Sequence, residues 1–211
     1  MAAFFECNHI SINYLSWPKP TRLLRLFWML LFRLSGWKTD VQFPAGIDKC
    51  VIIAGPHTHW MDFPVGLGYR SILKIPQARF LGKKELFDGP FGFFFRWAGG
   101  IPVDRFSQHH VVDQVVDVIR ANEKIMIALS PEGTRKKVDR LRTGFYHIAK
   151  KAGIPIVMVG LDFGKKQLLV SAPFYPSNNE KADFDQILNF FKPIEGKIPS
   201  QGFAAIKNQF E

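Results

Sequence analysis

The sequence predicts an α/β fold: a mixed, largely parallel central sheet with helices on both faces, plus an N-terminal amphipathic, membrane-associating helical arm. Three observations carry this reading. Short apolar, β-branched runs recur along the chain: CVIIA at 50–54, KIMIAL at 124–129 and IPIVMVGL at 154–161. Stretches with apolar residues at helical spacing separate them, and strands that alternate with helices make sheets with parallel content, covered on both faces. Near the start lies LFWMLLF, Leu26 to Phe32, apolar on every side, with Arg22, Arg25, Arg33 and Lys38 around it and Trp28 and Trp37 nearby.

The arm runs from Ser16 to Lys38. Pro18 and Pro20 precede its helix and Gly36 closes it. A spanning helix needs roughly 20 apolar residues; this run is shorter and bounded by arginines. Basic flanks and headgroup-level aromatics fit a helix lying in a membrane interface, and the competing reading is a helix packed on the protein's own core. Cys50 to Ala54 then reads as a buried strand followed by a Gly55-Pro56 loop. Asp62 to Leu73 is a helix, with Pro64 tolerated in its first turn. Ala78 to Gly82 is a strand, Phe87 to Ala98 a Phe-rich or broken helix, and Ile101 to Val103 a short strand. Val111, Val112, Val115, Val116 and Ile119 form one stripe of a helix over Ser107 to Asn122, capped by Ser107. Lys124 to Leu129 is a buried strand. Phe145, Ile148, Ala149 and Ala152 mark a helix closed by Gly153. Strands follow at Ile154 to Leu161 and Gln167 to Ala172. The last helix carries Phe184, Ile187, Leu188 and Phe191, with Asp183 as its expected N-cap. The reading divides the chain into an arm, 1–38, and a domain, 39–211.

Composition narrows the function. With 47% hydrophobic residues the chain is neither disordered nor a bundle of spanning helices. Twenty-one Phe residues fit either a Phe-rich core or rings facing acyl chains. The net charge of +10 attracts anionic partners: nucleic acid, anionic lipid or phosphorylated metabolites. No Arg/aromatic nucleic-acid signature is present, so lipid and phosphate are favoured and no nucleic-acid partner is expected. Cys7 and Cys50 form no Cys-x-x-Cys pair, which fits reduced thiols in a cytoplasmic compartment. Met1 to Asn8 contain Glu6 and no basic stretch leading into an apolar one, unlike a secretory leader.

In sheets of this class ligands sit at strand ends, which directs attention to the loops. His57 stands in the turn leaving the first strand, and Asp62 at the start of the next helix. A carboxylate held against one ring nitrogen fixes the tautomer of a histidine and makes it a stronger base. With no protein nucleophile beside this pair, the nucleophile is the substrate's own hydroxyl. Alone, the spacing is also met by a surface histidine and a helix-start aspartate. Gly99-Gly100-Ile101-Pro102-Val103-Asp104-Arg105 delivers a guanidinium to a strand end, where it can hold a phosphate bidentately or serve a surface ion pair. Ser130-Pro131-Glu132-Gly133-Thr134-Arg135 offers an acceptor, a backbone donor, a hydroxyl and a second guanidinium, an inventory suited to a phosphate or diol. Glu132 has an alternative role as an anchor for Arg105 or Arg135. Ala152-Gly153-Ile154-Pro155-Ile156-Val157 has no titratable group and contributes shape.

These four blocks, in this order over Cys50 to Phe163, resemble the glycerolipid acyltransferase family, of the lysophosphatidic acid (1-acylglycerol-3-phosphate) acyltransferase type and its short bacterial branch. The matching residues are His57 with Asp62, Gly99 with Arg105, Glu132 to Arg135, and Pro155. The resemblance implies transfer of a fatty acyl group to a lysophospholipid-type hydroxyl in phospholipid biosynthesis. His57 would be the general base and Asp62 its orienter. The donor would be an acyl thioester of coenzyme A or acyl carrier protein, with no acyl-enzyme, no bound cofactor and no metal. Lys83, Arg105, Glu132, Gly133, Thr134 and Arg135 would bind substrate, with Lys84 an alternative to Lys83. The location implied is the cytoplasmic face of a membrane, peripheral or monotopic. Pro56 and His59 depart from the Asn and Ser common in the family, which bears on the acceptor: an amino-acid lipid or another lysolipid is the alternative. Two readings compete from the residues alone. His57, His59 and Asp62 could ligate zinc in a hydrolase, although Asp62 lies one residue too late for a His-x-His-x-Asp block. A non-catalytic basic module would leave the His57/Asp62 pair unexplained.

Overall fold

The computed structural model describes residues 21–103, 108–206 and 209–210. Its centre is a six-stranded sheet built from β1 (Lys49–Gly55), β2 (Ala78–Lys83), β3 (Gly100–Val103), β4 (Ile125–Leu129), β5 (Ile156–Asp162) and β6 (Gln167–Val170). The strand order is β3-β2-β4-β1-β5-β6, all parallel except β6, which runs antiparallel to β5. Only four residues, 163–166, join β5 to β6; so short a connection can make a hairpin but not a parallel crossover.

The helices are α1 (Arg22–Leu34), α2 (Asp62–Ile72), α3 (Lys84–Asp88), α4 (Gly92–Trp97), α5 (Gln108–Ala121), α6 (Gly144–Ala152) and α7 (Glu180–Phe191), with two 3-10 turns near the end, Pro199–Gln201 and Phe203–Ala205. Successive residues of β1 point to opposite sides. Val51 and Ile53 join a core with α5, α6 and α7, while Cys50 and Ile52 join one with α1 and α2. Helices therefore cover both faces, as the periodicity predicts. Burial pushes the Cys50 thiol up to about 12, so it is an inert core residue. Cys7 lies outside the described residues.

α1 forms within the predicted arm. Thr21 caps it by accepting the Leu24 amide, and Gly36 closes it at φ 80°. The Gly36 amide donates to Arg33 O and the Trp37 amide to Phe32 O, the paired bonds of a Schellman ending. The helix packs on α2 through Phe32, which is buried and meets the Tyr69 ring edge-on at 4.8 Å. A Cβ on Gly68 would stand 2.6 Å from the Phe32 ring, so the glycine admits the helix. The remainder of α1 stays outward, with Leu23, Leu30 and Leu34 exposed. One side of the helix thus lies on the core, and the other carries exposed apolar residues. None of the described helices is long and apolar enough to cross a membrane.

The Phe-rich stretch is a broken helix, interrupted at Gly89-Pro90 between α3 and α4. The last helix differs from expectation at its start. Asn179, not Asp183, is the N-cap: its side chain accepts the Ala182 amide. Asp183 lies one turn further in, where its carboxylate accepts from the Ser177 amide, the Ser177 hydroxyl and the Tyr146 hydroxyl. Ser107, the expected cap of α5, lies outside the described residues.

Candidate active site

Parallel pairing brings the loops after β1 and β4 out side by side, since Ile53 stands opposite Leu129 in the last register pair. The β1 loop folds around one carboxylate oxygen. Asp62 Oδ2 accepts the amides of Thr58 and His59, each at 2.8 Å, and lies 3.1 Å from His57 Nδ1. The Asp62 side chain is 2% exposed and that of His57 27%. The carboxylate is therefore sealed while the imidazole reaches solvent. With Nδ1 directed at Asp62, Nε2 is the ring nitrogen left for a substrate proton.

The β4 loop holds this turn from the other side. Glu132, 3% exposed, accepts the His57 amide on Oε1 and the Ser130 hydroxyl on Oε2, both at 2.7 Å. Burial lifts the Glu132 carboxyl above the usual carboxylate range, and the bonds from Ser130 and His57 draw it back. Glu132 thus anchors the His57 backbone; Arg105, one of the two arginines the alternative reading pairs with it, lies outside the described residues. The loop closes tightly: the Gly133 amide donates to Ser130 O at 3.1 Å with Gly133 at φ 67°, and the Arg142 amide donates to Pro131 O at 2.8 Å. A residue with a Cβ is strained in that left-handed conformation. Thr134 Oγ1 accepts the Lys136 amide at 3.3 Å, and Arg135 is exposed. Lys83 ends β2 opposite Val103 at the same edge of the sheet, and both Lys83 and Lys84 are exposed. Arg105 lies outside the described residues, two positions beyond Val103.

Three supports were not visible as site residues in the sequence. Thr58 is buried, and its hydroxyl accepts the Ile198 amide at 3.1 Å. Gly196 lies flush against Thr58, where a Cβ would stand 2.9 Å from it. The Phe203 ring packs on Gly55, leaving a Cβ there only 2.9 Å. The C-terminal segment therefore braces the β1 loop from 140 residues away. Neither periodicity nor motif announces such contacts. His59 Nδ1 accepts the Met61 amide at 3.2 Å. Among the described residues no three His, Cys, Asp or Glu side chains gather as a metal site would require.

An apolar groove of about 230 Å³ lies along α2. It runs along α2 from Phe63 and Pro64, the residues after Asp62, past Leu67 to Arg70 and Ser71. Leu24 and Trp28 of α1 and Phe94 and Trp97 of α4 form its sides. At 1.5 Å per residue, Phe63 to Ser71 spans about 12 Å. At the far end, the Arg70 guanidinium donates to Ala98 O at 2.7 Å and Pro76 O at 2.8 Å, tying α2 to the turn after α4. Burial, then the neighbouring Arg79, brings Arg70 down to about 9, still charged at neutral pH. Phe93 and Trp97 of α4 are exposed, as is Phe91 just before it.

The sequence model of the Acyltransferase family matches residues 39–162. A 1-acyl-sn-glycerol-3-phosphate acyltransferase of Haemophilus influenzae is 29% identical over 152 residues, covering 67% of this chain and 61% of its own. The Escherichia coli protein of the same description is 28% identical over 165 residues, covering 72% and 65%. The chain thus spans somewhat under two thirds of the length of these relatives. The crystal structure of the 1-acyl-sn-glycerophosphate acyltransferase PlsC from Thermotoga maritima superposes with a TM-score of 0.53 over 78% of this chain and 74% of that one. At 19% identity the likeness is one of fold.

Proposed function

The chain belongs to the Acyltransferase family, and from that premise we propose that it moves a fatty acyl group from an acyl thioester to a hydroxyl of a lysophospholipid-type acceptor, 1-acylglycerol-3-phosphate first among candidates. The observation that carries this is the sealed Asp62 carboxylate 3.1 Å from a solvent-reaching His57 imidazole, inside the span the family matches. The relatives that share the span are described as 1-acyl-sn-glycerol-3-phosphate acyltransferases, which supports the acceptor class.

In the proposed reaction the acceptor hydroxyl attacks the thioester carbonyl carbon while His57 Nε2 takes its proton. Asp62 stabilises the imidazolium that forms. The tetrahedral intermediate then collapses, the C–S bond breaks, and the imidazolium returns the proton to the leaving sulfur. Acyl group, proton and thiol balance without an acyl-enzyme. A positioned general base supplies roughly 10²–10⁴ in rate, and alignment of the two substrates supplies a comparable factor or more. Lys83, Thr134, Arg135 and, beyond the described residues, Arg105 would engage the acceptor's anionic group. Glu132 would position His57 through its amide. The apolar groove along α2 would hold an acyl chain, and the outward side of α1 would seat the enzyme in a membrane interface, where the lysolipid acceptor resides.

The test is incubation with labelled acyl-coenzyme A or acyl carrier protein and a panel of lysolipids, read by mass spectrometry, with His57→Ala as control. The expected result is an acylated lysolipid that disappears with the variant. A folded His57→Ala protein with undiminished turnover would overturn the proposal.

A further inference from the structure

The arm helix is not alone in presenting apolar side chains beside the groove. α4 exposes Phe91 (66%), Phe93 (74%) and Trp97 (51%). Phe94 and Trp97 line the same groove as Leu24 and Trp28 of α1, so the outward sides of both helices border one opening. On α1 the residues advance about 100° each. Leu26, Leu30, Leu23, Leu34, Phe27 and Leu31 then cover an arc of about 140° on the side away from Trp28 and Phe32. Arg22 and Arg33 fall together at one edge of that arc, and both are exposed. Cations also flank α4. Lys83 and Lys84 are exposed just upstream together with Glu85 and Asp88, and Arg96 is held on the helix by a bond to Phe87 O at 2.8 Å and by the Phe87 ring at 5.7 Å.

Single exposed apolar residues are ordinary, but a contiguous apolar surface rimmed by charge marks a docking site. Arg22 and Arg33 at the edge of α1 and Arg96 on α4 complement anionic headgroups, and the rings and leucines beside them match the headgroup–acyl boundary. We propose that α4 is a second membrane-insertion element. α1 and α4, distant in sequence, form one face that seats in an anionic bilayer. The groove opens between them, so an acyl chain passes from lipid to site without crossing water. This rests on the membrane reading of α1 and adds an element which that reading does not require.

The test uses the full chain and vesicles of phosphatidylcholine with or without phosphatidylglycerol, read by co-sedimentation. Phe91 and Phe93 do not line the groove, so Phe91→Ser with Phe93→Ser tests docking apart from catalysis. The double variant should lower vesicle partitioning roughly tenfold or more, with an unchanged unfolding midpoint. Leu30→Ser with Leu34→Ser should do the same for α1, and the four together should abolish binding. Tyr175→Ser is the control: Tyr175 is equally exposed but follows Phe174, which pairs with Ile156 of β5, four places along the sheet from β3. If the α4 variant binds like the parent while the α1 variant is released, the inference falls and the reading of α1 stands. If both variants bind like the parent, both fall. Equal loss with Tyr175→Ser would show a non-specific effect and overturn the inference as well.

Discussion

In the loops after β1 and β4, buried side-chain oxygens are held by bonds made within the fold. Asp62 serves two amides and an imidazole, Glu132 an amide and a hydroxyl, and Thr58 an amide from the C-terminal segment. On the α1–α4 face the arrangement is reversed, with leucine and phenylalanine side chains exposed and polar residues kept to the edges. The contrast separates two kinds of job. A base that must meet a hydroxyl within hydrogen-bond reach is fixed in advance by bonds made at folding. A surface that meets a fluid bilayer needs apolar area and charge at its rim, with no fixed geometry.

Breaking the first region should have the larger effect. Asp62→Ala removes the partner of His57 Nδ1 and strands two amides. Turnover should fall on the order of 10²–10⁴, and the unfolding free energy should drop by about 1–3 kcal/mol for each amide left buried and unbonded. Steady-state kinetics and denaturant unfolding measure the two losses separately. Undiminished turnover would break the contrast, because the carboxylate would then be no part of a prearranged base.

Glu132 sharpens it. If this residue anchors the loop rather than binding acceptor, Glu132→Gln, which keeps an oxygen for the His57 amide, should retain most activity. Glu132→Ala should cost about 1–3 kcal/mol of stability and lower kcat more than it raises KM for the acceptor. The pH dependence has a definite sign. Burial raises the folded-state value above the unfolded one, so the folded protein holds the proton more tightly. Glu132 then favours folding at low pH, and this contribution is lost as pH rises from the unfolded value, near 4.5, through the folded one. Glu132→Gln should flatten that part of the stability–pH curve. A large rise in acceptor KM with Gln would return Glu132 to a binding role.

The smallest expected effect concerns the seam between the regions. Gly68→Ala gains about 1 kcal/mol of helix propensity, but its methyl meets the packed Phe32 and Trp28 rings at 2.6 and 2.8 Å. Overpacking costs about 1–3 kcal/mol, so the net result should be a lower melting temperature and faster proteolysis near α1. Unchanged protection of α1 would show that the helix is held from elsewhere.

The strands at 50–54 and 124–129 and the helical stripe at 111–119 are readable because side-chain period is a local property. So is the His57/Asp62 pair, since five residues of chain suffice to bring the groups together. The Glu132–His57 bond joins positions 75 apart, and only the β1–β4 register makes them neighbours. Read as an inventory, Glu132 to Arg135 is a set of ligand donors, and nothing local says that its first member faces inward. Asp183 looked like a helix cap for the same reason: it is an acidic residue before an apolar stripe, whereas its partners, Tyr146 and Ser177, come from elsewhere in the fold.

By itself, then, the order of residues determined the class of fold, the chemical pair at the end of β1 and the basic, apolar character of the first helix. These depend on the repeat of a helix or strand and on the reach of a short loop, both legible within a dozen residues. Which side of α1 is covered, what Glu132 holds and where the groove opens were decided by the strand order β3-β2-β4-β1-β5-β6 and by the packing of helices on it. The physical reason is that one hydrophobic pattern is compatible with many strand orders, and each order makes different loops neighbours.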